Sequence, residues 1–572
     1  MKLKLDIYEI IAGFAAIIIP IFICIFKSVE LAVVVFGIIV SLLGLYEKYI
    51  KPHLDLGKIE ELQDERANQP GLPPPSLDGL PQRPVSPPPS LDRLPQQGRT
   101  VRSIVIEALK AEKENRRDDA IRLWKGLENR RDIGDSGLCV VYVQLANFYL
   151  KASDYTDALY YAKKAEKKAL KLEGMDSKHS LSAVFNILGL IHRDRGDYPA
   201  ALQYLEKALS INEESRNQEH QAISHGNIGS VLLRMGDHIE AMKHHKIALS
   251  LYVRLGDLNG RASEVGNIGN IFLRIGNFLK AKESYEAALS IHQDLGETEK
   301  IVKDIGNIGL VLLKTGNINE ARGKFIEVIE SNEKFECKAG VASAKSNLAI
   351  TYFREGDFDK AISLNEEALE INRGIEDPLG VGQNLGNIGL IYRNIGGIEK
   401  AIEYHREALD IYEKHGYKTG IGGQLSNLGV AYIQINEIDK AEECFQKARS
   451  IFNEISDIVG EGQAIGNLSQ IWLNREEFEK AEEMAMSASA IFESNNVYPD
   501  LVIMLHKLTL IRFMRSDFEG SKEAALKGIR IAEKLEYEPK ELGELKQILE
   551  ELNEKLAESQ NENESGGEDS SE

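Results

Sequence analysis

The chain has 572 residues, 43% hydrophobic and 28% charged, a balance that excludes collagen-like and wholly disordered chains. Acids outnumber bases 89 to 69, and the formal charge of −20 argues against a general nucleic-acid binder, which needs a basic surface. Cys24, Cys139, Cys337 and Cys444 lie far apart with no CxxC pair, so spacing shows no zinc site or disulfide framework and suits a reducing compartment.

Residues 1–50 read as a membrane anchor. Ile7 to Phe26 is a near-continuous apolar run of 20 residues, enough to cross a ~30 Å hydrocarbon core. Lys27, Ser28, Val29 and Glu30 interrupt it, and Leu31 to Tyr46 is a second run of 16 residues. The pattern predicts a transmembrane hairpin with helices at about 7–26 and 30–46; a single interfacial element and a cleaved signal are the other readings. Lys2 and Lys4 precede the hairpin and Lys48, Lys51 and Lys58 follow it, while Lys27 alone sits in the turn. The positive-inside rule then predicts a two-span cell-membrane protein with everything after residue 50 in the cytoplasm.

Residues 51–100 form a juxtamembrane and proline-rich spacer. Ten of the sixteen prolines fall within 68–100, which repeats PPPSLDGLPQ (73–82) as PPPSLDRLPQ (87–96). Proline lacks the backbone donor and fixes φ, so this stretch joins no helix or sheet interior and extends at ~3.1 Å per residue. A semi-rigid spacer is the plain reading, and a docking site for SH3-like or WW-like modules is the alternative.

From 101 to 535 one pattern repeats. Asn227, Asn267, Asn307, Asn347, Asn387, Asn427 and Asn467 recur with a constant period of 40, within motifs such as GNIG (226–229), SNLA (346–349) and SNLG (426–429). Fourteen residues after each comes alanine, from Ala241 to Ala481, and seven further on another small apolar residue. Ile228, Val231 and Leu232 give a first helix, Gly236 can end it in a left-handed cap, and Asp237 can cap a second helix carrying Ala241, Ala248 and Leu251. Neither helix buries its apolar face alone, so stability comes from stacking neighbouring units.

These residues resemble the tetratricopeptide repeat family, whose signature places small residues at positions 8, 20 and 27 of a helix–turn–helix unit, here Gly229, Ala241 and Ala248. The family's usual period is 34; a period of 40 implies longer helices or connections and is similar to the Gly-Asn-Leu-Gly subclass of Pins-type adaptors and prokaryotic repeat proteins. The resemblance implies an all-α tetratricopeptide-repeat superhelical solenoid, preceded here by the two-helix transmembrane hairpin. Eleven units are expected, the outer ones degenerate. Leu542, Leu545, Leu549, Leu552 and Leu556 then predict a helix over 540–558, read as a cap or as a short dimerising coil, before an acidic disordered tail at 559–572.

Enzymatic motifs are absent: no HExxH, GxSxG or GxxxxGK[ST] occurs, and Gly323-Lys324 lacks the upstream glycine of a phosphate loop. The histidines follow no metal-ligand spacing, and His244 and His245 point to different sides of a helix. The expectation is a non-enzyme without cofactor or metal. The resemblance places the seven asparagines on the concave face, where an amide that both donates and accepts can pair with a peptide backbone. Adjacent helices lie ~8–10 Å apart, close to three extended residues. Repeat inheritance without a ligand is the competing reading. Seven residues along the same helices stand Arg234, Arg274, Lys314 and Arg354, with Arg393 one place early; they are read as a rail for acidic side chains or as a solvated edge.

The sequence therefore predicts a membrane-anchored scaffold that binds protein or peptide segments, acidic ones included, in its concave groove on the cytoplasmic side. The alternatives are a structural assembly subunit acting through its convex face or by self-association, and a regulatory accessory subunit of an enzyme. Partner and oligomeric state are left open.

Overall fold

The computed structural model describes residues 99–565 apart from 114–115, 129, 131–132 and 536–538. The expected membrane hairpin (7–26 and 30–46), nearly all of the spacer and the end of the tail lie outside the described residues. Among the described residues no helix is long and apolar enough to cross a membrane.

All described residues fall in one contact unit, Pro88–Glu572, and form helices without strands. The first hairpins pair α1 (Arg99–Lys113) with α2 (Arg117–Glu128), α3 (Asp135–Lys151) with α4 (Tyr155–Ala169), and α5 (Gly174–Asp194) with α6 (Tyr198–Glu214). Next come α7 (Gln218–Met235) with α8 (His238–Leu255), α9 (Leu258–Arg274) with α10 (Phe278–Leu295), and α11 (Thr298–Lys314) with α12 (Ile318–Lys334). Then follow α13 (Lys338–Glu355) with α14 (Phe358–Gly374), α15 (Pro378–Asn394) with α16 (Ile398–His415), and α17 (Lys418–Gln434) with α18 (Ile438–Glu454). The last hairpins are α19 (Ile458–Asn474) with α20 (Phe478–Ser494) and α21 (Tyr498–Met514) with α22 (Phe518–Lys534). A closing helix, α23, spans Lys540–Ser565. Its Leu542, Leu545 and Leu552 are buried, the first two in a cluster with Ala525 and Ile529 of α22, so the leucine stripe covers the end of the stack. The helix runs past the expected 558 to Ser565, into residues assigned to the disordered tail.

The period of 40 goes into the helices, not the connections. From Gly196 to Ser516 a residue with positive φ recurs at every half-period of the repeat, so both links of each unit have the same form. At Gly236 the amide donates to Leu233 O (3.3 Å) and that of Asp237 to Leu232 O (3.0 Å), the paired bonds of a Schellman cap. Asp237 then accepts from the Glu240 amide at 3.0 Å and starts α8. One left-handed residue and one capping residue make the whole link.

Within each hairpin a size exchange fixes how closely the helices approach. A Cβ on Gly229, Gly309 or Gly389 would lie 2.8 Å from the ring of His245, Phe325 or His405 on the paired helix. Gly269 meets Tyr285 in the same way, at 2.9 Å. Where the first position is instead Ala349 or Ser469, the partner shrinks to Asn365 or Ala485.

Successive odd-numbered helices touch one another along nearly the whole array while even-numbered helices splay, so the odd helices line the inside of the curve. The curve closes on itself. A Cβ on Gly196 would meet Thr419, on Gly236 Val459, and on Gly276 Pro499. The offset along the chain is the same in all three pairs and places roughly five and a half units in one superhelical turn. The half-integral step sets the mid-unit link of one turn against the between-unit link of the next. Tyr198 Oη lies 3.0 Å from Thr419 Oγ1, His238 Nδ1 bonds Asn495 O at 2.9 Å, and Tyr417 Oη donates to Ser153 O at 3.2 Å. The Tyr155 and Tyr417 rings meet edge to face, 5.1 Å between centroids. The first residues of α4, α6, α8 and α10 (Tyr155, Tyr198, His238 and Phe278) are buried by this seam, whereas their counterparts Ile318, Phe358 and Ile398 are only half-buried.

Gly389→Ala should lower unfolding free energy by about 1–3 kcal/mol by overpacking against His405. Adding His405→Asn, the pairing found at Ala349 and Asn365, should recover part of that loss, read as a favourable coupling energy in a urea-denaturation double-mutant cycle. Tyr417→Ala should open the seam: scattering should give a larger radius of gyration, with helix content by circular dichroism unchanged.

Candidate functional site

The repeated asparagines sit at mid-helix on α7, α9, α11, α13, α15, α17 and α19. All seven are half-buried, and all but Asn267 are followed by a buried apolar residue, such as Ile228 after Asn227 and Leu428 after Asn427. The odd helices turn this row toward the inside of the coil. On α13, α15 and α17, Asn347, Asn387 and Asn427 line one cavity of about 290 Å³ together with Ser343, Gln383 and Asn384, over small residues at Ala339, Gly380 and Gly386.

The rungs differ in how far their amides are used. Asn227 Nδ2 lies 3.4 Å from Asn186 Oδ1, Asn267 Nδ2 donates to Glu264 Oε1 at 3.4 Å, and Asn387 Nδ2 to Asn365 Oδ1 at 3.4 Å. Asn307, Asn347, Asn427 and Asn467 have side-chain amides with no protein partner among the described residues. A half-buried amide without a partner presents a donor and an acceptor to whatever enters the groove.

A second polar layer holds the rungs at their depth. Three residues before a rung stand the buried Ser224, Glu264, Asp304, Asn384 and Gln424. Each is tied to the preceding even helix: Ser224 to Asn212 (3.1 Å), Glu264 to His245 (2.7 Å), Asp304 to His292 (2.6 Å), Asn384 to Asn372 (2.7 Å) and Gln424 to His405 (2.9 Å). Burial pushes the His405 imidazole down to about 4, so it is neutral near pH 7. At two further junctions the positions equivalent to His245 and Glu264 are buried apolar residues, Phe325 and Ala344 in one and Phe445 and Ala464 in the other. Sequence reasoning missed this layer, although polar residues at a constant offset from the rungs carry its signal.

It also missed Lys507, which stands one full period after Asn467 and so takes the rung position on α21. Its Nζ donates to Gly466 O at 2.8 Å, and burial pulls its pKa down to about 8. Extending the repeat register by one unit would have found it.

The basic residues Arg234, Arg274 and Lys314 end α7, α9 and α11 or adjoin their ends, and Arg354 and Arg393 stand at the ends of α13 and α15. Cations there interact favourably with the helix C-termini. Arg234 lies 3.8 Å from Asp194. Arg274, Lys314 and Arg354 are exposed and Arg393 half-buried, and among the described residues none of these four forms an ion pair with a carboxylate. Desolvation lowers the Lys314 pKa, and the nearby Arg354 and Arg274 charges lower it further against an opposing effect of Asp500. Burial likewise pulls Arg393 below its ordinary value. The Arg274 charge also reaches Asp457 across the seam. The row thus runs along the lumen edge, its N-terminal half bordering the seam.

Of the adjacent histidines, His245 turns into the core toward Glu264 and His244 faces His225, Nδ1 to Nδ1 3.0 Å. Among the described residues no three His, Cys, Asp or Glu side chains gather to hold a metal ion.

Tetratricopeptide repeat family models match residues 137–214, 179–254, 220–294 and 340–414, and a second such model matches 425–452. No curated protein matches the chain. Among solved structures, a Rap protein complexed with competence and sporulation factor is similar at 16% identity, covering 70% of this chain and 99% of that one, with a TM-score of 0.45. The apo quorum sensor NprR from B. thuringiensis shares 14% identity over 62% of this chain and 98% of its own, with a TM-score of 0.40. A Rap conjugation gene regulator of plasmid pLS20 with the Phr* peptide shares 16% over 56% and 96%, with a TM-score of 0.41. With family models matching across 137–452 and the repeat register running through the same helices, the chain belongs to the tetratricopeptide repeat family.

Proposed function

We propose that the protein is a scaffold that holds an extended protein segment along the asparagine row inside its coil, with a preference for acidic segments. The observation that carries this reading is the cavity shared by Asn347, Asn387 and Asn427, in which two of the three amides have no partner among the described residues. Amides at one position of successive helices can pair with peptide carbonyls and amides whatever the side chains, which suits a scaffold that reads backbone first. The apolar runs at 7–26 and 31–46 support tethering of this scaffold to the cytoplasmic side of a membrane, with the proline-rich segment as its reach.

Partners captured by the full chain and identified by mass spectrometry supply the ligand for the test. Converting Asn347, Asn387 and Asn427 together to alanine should weaken binding by about tenfold or more while the circular dichroism melt stays in place. Equal affinity in a folded variant would sink the reading. For the tether, deletion of residues 1–50 should move the protein from the membrane pellet to the supernatant; a full chain that already fractionates as soluble would refute it.

A further inference from the structure

Resting on that reading of the groove, we propose that its ligand is a segment in polyproline II conformation carrying a carboxylate at every third residue, with the backbone on the asparagines and the carboxylates on Arg274, Lys314, Arg354 and Arg393. Two rows on the same helices carry the argument. Asn267 and Arg274, Asn307 and Lys314, and Asn347 and Arg354 are each seven residues apart, so they share a helix face and are separated by ~10.5 Å along it. Both rows advance one step per odd helix, ~8–10 Å at ordinary helix packing. An extended β-strand does not match this step, because its side chains return to one face every second residue, ~6.8 Å. A polyproline II segment does, since three residues make one turn and rise ~9.3 Å. It also has no internal hydrogen bonds, so one backbone group per turn is free for each asparagine.

The charge of the row points to the side chains. Bases elsewhere on this acidic chain are commonly paired, as with Arg475 and Glu442 (2.7 Å) or Arg512 and Glu482 (2.7 Å). The row lacks such partners among the described residues. Asp457 and Asp500 interact with Arg274 and Lys314 from the next superhelical turn without forming ion pairs with them. Arg274, Lys314 and Arg354 at a constant spacing along the chain, with Arg393 one place early, stand beside amides that grip any backbone and select carboxylates at that step.

The test uses the full chain and three labelled twelve-residue peptides in fluorescence anisotropy. One is (Glu-Pro-Ala)₄, one is the same composition with its four glutamates contiguous, and one replaces every glutamate of the first by glutamine. The periodic peptide should bind about tenfold more tightly than the contiguous one, and Lys314→Gln with Arg354→Gln should remove that difference. The two charged peptides binding equally, or neither binding, would overturn the proposal. The glutamine peptide separates this from the groove reading. If its weaker binding is lost with the Asn347, Asn387 and Asn427 alanine variant, the backbone grip stands even where charge spacing fails. If that variant leaves it unchanged, both readings fall.

Discussion

A link built around one left-handed residue, recurring at every half-period from Gly196 to Ser516, leaves the chain no slack between helices. Each helix must start where the last one stopped, at an angle set by the same pair of backbone bonds. Arg216, Glu336, Glu376 and Glu476 hold this conformation despite its cost to a residue with a Cβ, about 1 kcal/mol or more, so the geometry outranks local preference. A constant step repeated from hairpin to hairpin is what makes a regular superhelix, and everything at the groove inherits its spacing from that step.

Packing then decides how tightly the step is drawn. Glycines on the odd helices take the rings of His245, Tyr285, Phe325, His405 and Phe445, and larger residues appear where the ring is replaced, as by Asn365 or Ala485. Between hairpins, most junctions carry buried polar pairs such as His245 with Glu264 and Asn372 with Asn384, while Phe325 and Ala344 occupy the equivalent positions of another. A buried polar group mispaired with an apolar neighbour costs more than a correct pair contributes. Matched polar and apolar positions therefore reinforce the neighbour order that the short links impose.

Most of the fold was legible because its causes are local. Gly236 and Asp237 announce a cap and a helix start, Ala241 and Ala248 a close-packed second helix, and the constant repeat register the stacking of both. The asparagine row was legible for the same reason, being one position in one helix type. Lys507 was obscured because the motif around it decays, although its register does not. The polar layer beneath the rungs was obscured because its partners, such as His405 and Gln424, look like unrelated surface residues until the helices are stacked. The helix past residue 558 was missed because the leucine spacing stops at Leu556.

Length and charge were the first facts available, and both describe the chain only on average. By itself the sequence determined the helical hairpins and the row of amides, since both follow from residues within one unit of each other. It could not determine that Tyr155, Tyr198 and His238 are buried by links from a distant part of the chain, while Phe358 at the same repeat position is not. That depends on small rotations per unit summed over a whole superhelical turn, which no single residue encodes. The same closure set the exposed basic edge against the next turn, where Arg274 and Lys314 look across at Asp457 and Asp500. Only the tertiary structure brings those charges together, because electrostatic neighbours are set by distance in space and the chain sets only distance along itself.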